Sequence, residues 1–185
     1  MKGAFGPRQI QTTPETLPLF PLSGAVLLPG GQLPLNIFEP RYLAMVDAAL
    51  AGDRLIGMIQ PADEEGAPTP ALYSVGCAGR ITSFAETGDG RYLINLTGTR
   101  RFRLAEELAS DAPYRLATAD WSAFDIDAHG DPTIDDVDRD ALLSALRDYL
   151  ATENLQIEWE KAADASAQAL IVSLAMGCPF EPNEK

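Results

Sequence analysis

The sequence predicts an α+β fold, a β-rich half followed by an acidic helical half, and three observations carry that expectation. Short apolar runs cut by proline and glycine fill residues 17–121, the pattern of brief strands and turns. The two longest runs are joined by Thr87-Gly88-Asp89-Gly90, a strong hairpin signal. Beyond an Asp-, Gly- and Pro-rich stretch at 122–135, apolar residues recur at helical spacing instead.

Taken in order, residues 1–16 read as a loose, polar, proline-broken tail. TLPLFPL, GAVLLPGG and QLPLNIF then read as brief strands or edge segments, because proline cannot donate to a ladder. Pro40-Arg41-Tyr42 opens a helix to about Ala51, with Leu43, Val46, Ala49 and Leu50 at helical spacing and Gly52 as its left-handed stop. Strands resume with RLIGMIQ, and an acidic, turn-rich insert follows (PADEEGAPTP). The hairpin pair is YSVGCAGRITSFAE and RYLINLTGTRRFRLAEE. In the second, Tyr92, Ile94 and Leu96 share one face, and Leu93, Asn95 and Thr97 the other. PYRLATADW closes the β-rich half near Trp121. Residues 122–135 read as an acidic linker and 136–185 as a helical subdomain. Its first helix is marked by Val137, Leu142, Leu143, Leu146, Tyr149 and Leu150, with Asp135 or Asp136 as N-cap. Its second is marked by Trp159, Ala162, Ala163, Ala167, Leu170, Ile171 and Leu174, and ends at Gly177 and Pro179. This half reads short, as though a few C-terminal residues were missing.

The charge pattern narrows function. The formal net charge is −13, yet residues 1–104 hold nine acidic and nine basic side chains, so the whole surplus lies in 105–185, with eighteen acidic against five basic. Such a half repels phosphate backbones, which disfavours nucleic acid as a partner. Cys77 and Cys178 lie far apart with no C-x-x-C pair, which fits a reducing, cytoplasmic setting better than a disulfide scaffold. No apolar run approaches the roughly 18 residues of a membrane span, and the N-terminus lacks the apolar core of a signal peptide.

Signals for chemistry are sparse. Asp125-x-Asp127-x-His129-Gly130 with Asp136 at the twelfth place echoes a calcium loop. His at the fifth position and Asp at the twelfth depart from that loop, so a solvated acidic linker is the expected reading. In Arg100-Arg101-Phe102-Arg103 the side chains of Arg101 and Arg103 face one way and those of Arg100 and Phe102 the other. Pairing with nearby carboxylates is their expected fate. Cys77 has no histidine near in sequence and reads as a small buried hydrophobe. Phosphate cradles, dinucleotide fingerprints, H-E-x-x-H and G-x-S-x-G are missing. Ser166 lies five residues from Lys161, a poor helical match for a Ser–Lys pair. No catalytic residue, metal ligand or cofactor is assigned.

The run LPLFPLSGAVLLPGGQLPLNIFEPRYLAMV, then RLIGMI, YSVGCAGRITSF, DGRYLINLTGTRRFRL and PYRLA, resembles the N-terminal substrate-binding domain of Lon-type ATP-dependent proteases. The PLFPL start, the PG pair before LPL-x-IFEPRY, and Gly98, Arg101 and Phe102 of the G-x-x-RF run occur in that order; VSLAM extends the likeness into the helical half. The resemblance implies a PUA-like β pseudo-barrel followed by a helical bundle. It also implies a non-catalytic module that captures unfolded or tagged polypeptide, beside a protease or chaperone partner. The ATPase and Ser–Lys protease modules of full-length Lon are missing from these residues, so the chain looks like a stand-alone bacterial member. PUA-like barrels elsewhere serve RNA, which makes a nucleic-acid or small-ligand domain the alternative.

The motif residues also have a plain physical reading. Pro18, Pro21, Pro29 and Pro34 hold the chain extended and limit edge pairing. Gly30-Gly31 permits a sharp turn. Phe38, Glu39, Arg41, Tyr42, Arg101 and Phe102 are the candidate binding residues, with Arg41 and Tyr42 also placed to anchor the first helix. Binding is expected by β-edge addition or in an apolar groove between the halves.

Overall fold

The Thr87–Gly90 turn folds as its composition demands: Gly90 takes φ 77°, and Thr87 N–H donates to Arg91 O at 2.8 Å. It joins the longest ladder of a computed structural model that describes residues 13–62, 69–129, 137–152 and 165–180. The described strands are β1 (Thr16–Pro21), β2 (Gln32–Ile37), β3 (Leu55–Ile59), β4 (Val75–Glu86), β5 (Tyr92–Leu108) and β6 (Arg115–Asp120). The helices are α1 (Pro40–Ala51), α2 (Ile126–His129), α3 (Arg139–Thr152) and α4 (Ala167–Gly177).

The sheet runs β2-β5-β4-β3-β1-β6, and β6 also pairs with β5, so the ladder returns on itself. The length of β5, 17 residues, makes this possible. Its first part holds β2 (Ile37↔Tyr92 to Gln32↔Thr97) and its last part holds β6 (Arg103↔Asp120 to Leu108↔Leu116). Between them the β4–β5 register shifts, with Gly79 opposite Gly98 and Ala78 opposite Arg100. The extra residue, Thr99, donates its hydroxyl to Ala78 O at 2.9 Å. Such a bulge bends a strand and increases its twist.

Alternation along the strands produces two apolar layers. Leu17, Leu19, Leu55, Ala78, Phe102 and Ala117 form one. Gly57 and Gly76 lie beside the Phe102 ring, where an added Cβ would sit 3.0 and 2.7 Å from Cζ. The other layer packs Ile56, Met58, Cys77, Ile81, Ile94 and Leu96 under α1 and Leu27. On α1 the buried stripe is Tyr42, Met45, Val46 and Ala49; Leu43 and Leu50 pack at its margins. A third cluster, Leu146, Leu150 and Leu170, joins α3 to α4.

Several local expectations are corrected. GAVLLPGG is irregular, with Leu27 buried by its side chain and no ladder of its own. β1 is interior, not an edge; its prolines confine it to short ladders, Thr16–Leu19 with β6 and Leu19–Pro21 with β3. Gly52 has φ −117°, and the left-handed residue after α1 is Arg54, φ 58°. Asp138 caps α3, its carboxylate accepting from Ala141 N–H at 3.0 Å. Ser166 caps a helix of its own, so the apolar run read from Trp159 to Leu174 is not one uninterrupted helix. Asp135, Asp136, Trp159, Ala162 and Ala163 lie outside the described residues. The end of the supposed loose tail is held: Trp121 Nε1 donates to Pro14 O at 3.0 Å, and Ala119 N–H to Glu15 O at 2.9 Å.

Candidate functional site

The connection from β1 to β2 and the last described helix face each other across a cleft of about 730 Å³. Its floor is fixed by β5: Gly30 N–H donates to Gly98 O at 2.9 Å, and Gly98 N–H to Gly31 O at 2.8 Å. Gly98 has no room for a side chain, since a Cβ there would lie 2.0 Å from Leu28 O. A Cβ on Gly31 would lie 2.2 Å from Met176 Sδ, the end of a flexible side chain, and 3.0 Å from both Leu28 O and Val172 Cγ1. The approach of Val172 and Met176 to Gly31 brings α4 onto the β-half. Leu33 and Pro34 line one wall, and Ala169, Val172, Ser173 and Met176 the other. Among the described lining residues none is charged.

The cleft runs along a sheet edge. Gly98 donating to Gly31 sets the ladder parity, so Leu33, Leu35 and Ile37 turn their backbone groups toward β5. Gln32, Pro34 and Asn36 turn theirs to the open edge. Pro34 therefore stands where its missing N–H costs no ladder bond. An extended peptide laid here meets donors at Gln32 and Asn36, carbonyls at all three positions, and, across the cleft from Gln32 and Pro34, the wall of α4. Main-chain pairing plus side-chain pockets is the chemistry of β-addition.

The residues singled out from sequence lie elsewhere and apart, Phe38, Glu39, Arg41 and Tyr42 around the start of α1 and Arg101 and Phe102 on β5. Phe38 is 61% exposed just past β2, with the Arg91 guanidinium 5.8 Å from its ring centre. Glu39 and Arg41 pair with each other at 2.8 Å. Tyr42 is buried against Phe20, ring centres 4.3 Å apart, with Arg41 over its ring. Burial raises the Tyr42 phenol above its ordinary pKa, against the opposing pull of Arg41. Arg41 and Tyr42 do line a second, more polar cavity of about 410 Å³ with Tyr114 and Arg115. Phe102 is 0% exposed and is a core residue, not a ligand-facing one.

Arg100 and Arg101 meet carboxylates, as their context implied. Arg100 pairs with Asp125 and donates to Trp121 O at 2.8 Å and Phe124 O at 3.2 Å. Asp127 accepts from Arg101 three times: backbone N–H (2.9 Å), Nε (2.9 Å) and Nη2 (2.6 Å). Burial by itself would raise the Asp127 carboxyl, but these bonds and the Arg101 charge outweigh it and hold the pKa below the usual carboxylate range. The stretch read as a solvated linker thus opens with a 3-10 turn, Ser122–Phe124, and α2, both latched to β5. The carboxylates that began the calcium-like pattern are turned onto arginines. His129 belongs to α2, and Asp136 lies outside the described residues.

Cys77 is 3% exposed, and burial together with the Asp127 charge pushes its thiol up to about 12. That is the state of a packing residue, not a nucleophile. Among the described residues no group of His, Cys, Asp and Glu could hold a metal ion, and no helix is long and apolar enough to cross a membrane. Sequence reading named an apolar groove without its walls. The available signal was the sixteen-residue run 165–180, which carries no charge in the most acidic part of the chain.

Comparison with known proteins agrees with this architecture. The chain is 31% identical over 169 residues to the Lon protease of Anaeromyxobacter dehalogenans, spanning 88% of this chain and 19% of that one. It is 35% identical over 109 residues to Lon protease 2 of Myxococcus xanthus, spanning 58% of this chain and 13% of the relative. The chain therefore matches less than a fifth of either relative's length. The N-terminal domain of a Mycobacterium avium complex Lon protease shares the fold, with TM-score 0.60 at 16% identity over 91% of this chain and 86% of that one. The family model for the substrate-binding domain of ATP-dependent protease La (Lon) matches residues 16–185, and the chain belongs to that family.

Proposed function

We propose that this domain is a non-catalytic recognition module of the cytoplasm that captures unfolded or exposed polypeptide segments, in the cleft between β2 and α4. The observation that carries the reading is the coincidence of a largely apolar cleft, uncharged among the described residues, with a strand edge that no described strand covers. The β-half is read as a PUA-like pseudo-barrel and the helical half as a bundle that supplies the second wall. Phe38 and Arg41 are exposed at the helix entrance and serve as secondary contacts for a longer segment. The captured chain is passed to a protease or chaperone partner. Binding to denatured casein tests this, with affinity expected on the order of 10 μM for so small an apolar contact. Ala169 and Ser173 line the cleft and are exposed, so Ala169→Trp or Ser173→Trp fills it without disturbing the core. Either variant is expected to lose casein binding at unchanged thermal stability. Casein binding that survives both would place capture elsewhere.

A further inference from the structure

Resting on the cleft reading above, we infer that the segments taken by the cleft are apolar runs flanked by lysine or arginine. Two independent features define the two parts of that substrate. The described lining of the cleft carries no charge, so an ionised side chain laid against it would lose water and gain no partner there. The central part of the segment is therefore apolar. Its flanks meet a different environment. The α4 wall belongs to residues 136–185, which hold ten acidic against four basic side chains, and the uncharged run 165–180 is bracketed in sequence by Asp164 and Glu181. Helix α3, packed on α4 through Leu146, Leu150 and Leu170, exposes Asp138, Asp140 and Asp148.

The β-half does not offset this field. Residues 17–121 hold twelve acidic against eight basic side chains, and five of the eight arginines, 41, 91, 100, 101 and 115, are paired with carboxylates. With 27 acidic and 14 basic side chains, at least 27 − 14 = 13 acids lack a basic counterpart however the charges pair. A field of that sign reaches about 8–10 Å at ordinary ionic strength, far enough to act on residues just outside the cleft. Cationic flanks gain affinity and arrival rate from it; anionic flanks lose both.

The test uses fluorescein-labelled peptides that share one Leu- and Phe-rich core and carry lysine, serine or glutamate flanks. They are titrated against the full chain by fluorescence polarisation. Lysine flanks are expected to bind at least ~10-fold tighter than glutamate flanks at low salt, with serine between, and the gap is expected to close in about 1 M salt. Ser173→Trp is expected to weaken all three. Equal affinity for lysine and glutamate flanks would overturn the charge preference and leave the cleft reading standing. If no peptide binds, the cleft reading itself fails. Lysine-flanked binding that survives Ser173→Trp would overturn the inference in favour of adhesion to the acidic surface.

Discussion

Asp127 is a buried carboxylate bound three times by one arginine, and replacing it by alanine gives a sharp test of the latch. Its side chain is 5% exposed and receives three donors from one residue, Arg101, whose side chain is 38% exposed. Breaking a buried ion pair costs about 3–5 kcal/mol, because the remaining charge is stranded. Arg101 is not fully stranded, since over a third of it already meets water. Asp127→Ala is therefore expected to cost about 2–3 kcal/mol, nearer the value of charge-assisted hydrogen bonds to a partly solvated partner. Asp127→Asn keeps two of the three bonds if its oxygen faces Arg101 N–H and Nε, but sets an amide donor against Nη2; about 2 kcal/mol is expected. Urea denaturation followed by tryptophan fluorescence reads this, since Trp121 sits inside the latch with Arg100 Nη2 on its carbonyl. The pH dependence carries its own sign. The folded Asp127 pKa is lowered, so the wild-type advantage over Asp127→Ala is complete above the unfolded carboxyl pKa of about 3.9. It disappears as pH falls through the lower folded value. A loss below about 0.5 kcal/mol at neutral pH, within the range of an ordinary surface pair, would refute the reasoning.

Gly98→Ala places a methyl 2.0 Å from the Leu28 carbonyl oxygen, a backbone atom that cannot rotate away; a loss of at least about 2 kcal/mol is expected by chemical denaturation. Gly88→Ala, in the hairpin turn with no atom within 4 Å, is the matched control and is expected to stay within about 0.5 kcal/mol of wild type. Phe102→Ala empties the centre of one apolar layer and is expected to cost about 3–5 kcal/mol; it lies far inside the fold, so any residual folded protein should still bind casein.

What the sequence disclosed, and what it withheld, follows from the range of the forces involved. Local chemistry was legible: the Thr87–Gly90 turn, Pro40 opening α1, and the inward set Ile94 and Leu96 on β5. These depend on backbone preference and period alone. The interior place of β1 was not legible, because two prolines suggest an edge unless one knows that each half of the strand has a different neighbour. Arg54 taking the left-handed position meant for Gly52 is a tertiary choice: Arg54 N–H donates to Ala49 O, and Arg54 O accepts from Ile81 N–H, so the turn is set by where β4 lies. Residues 122–129 looked like solvent-exposed linker because acidic composition reports charge, not partners. Their partners, Arg100 and Arg101, lie more than twenty residues away. Among the candidate site residues, Tyr42 and Phe102 were noticed for their place in a motif, and that place is explained by burial.

Two structural tasks meet in one short piece of β5, and this bears on how a recognition module stays shaped for its ligand. Gly98 holds the Gly30–Gly31 floor of the cleft, Thr99 is the bulge, and Arg100 and Arg101 hold the segment that leads toward the helical half. The bulge gives the reason for the arrangement: a register shift turns the strand between its β2-bound part and its β6-bound part. The floor of the cleft lies on one side of that bend and the latch on the other. The wall α4 follows the latch in chain order, and we take the latch to govern where that wall sits, so that both walls answer to the same four residues. A groove assembled from two halves needs such a common anchor, since a shift of about 1 Å between walls is enough to spoil close apolar packing. On this account Asp127→Ala should weaken casein binding as well as stability, although Asp127 does not line the cleft. Its effect should be mimicked by Arg101→Ala, and the two should be non-additive in a double-mutant cycle. Additive losses in binding would mean that the latch and the cleft are independent.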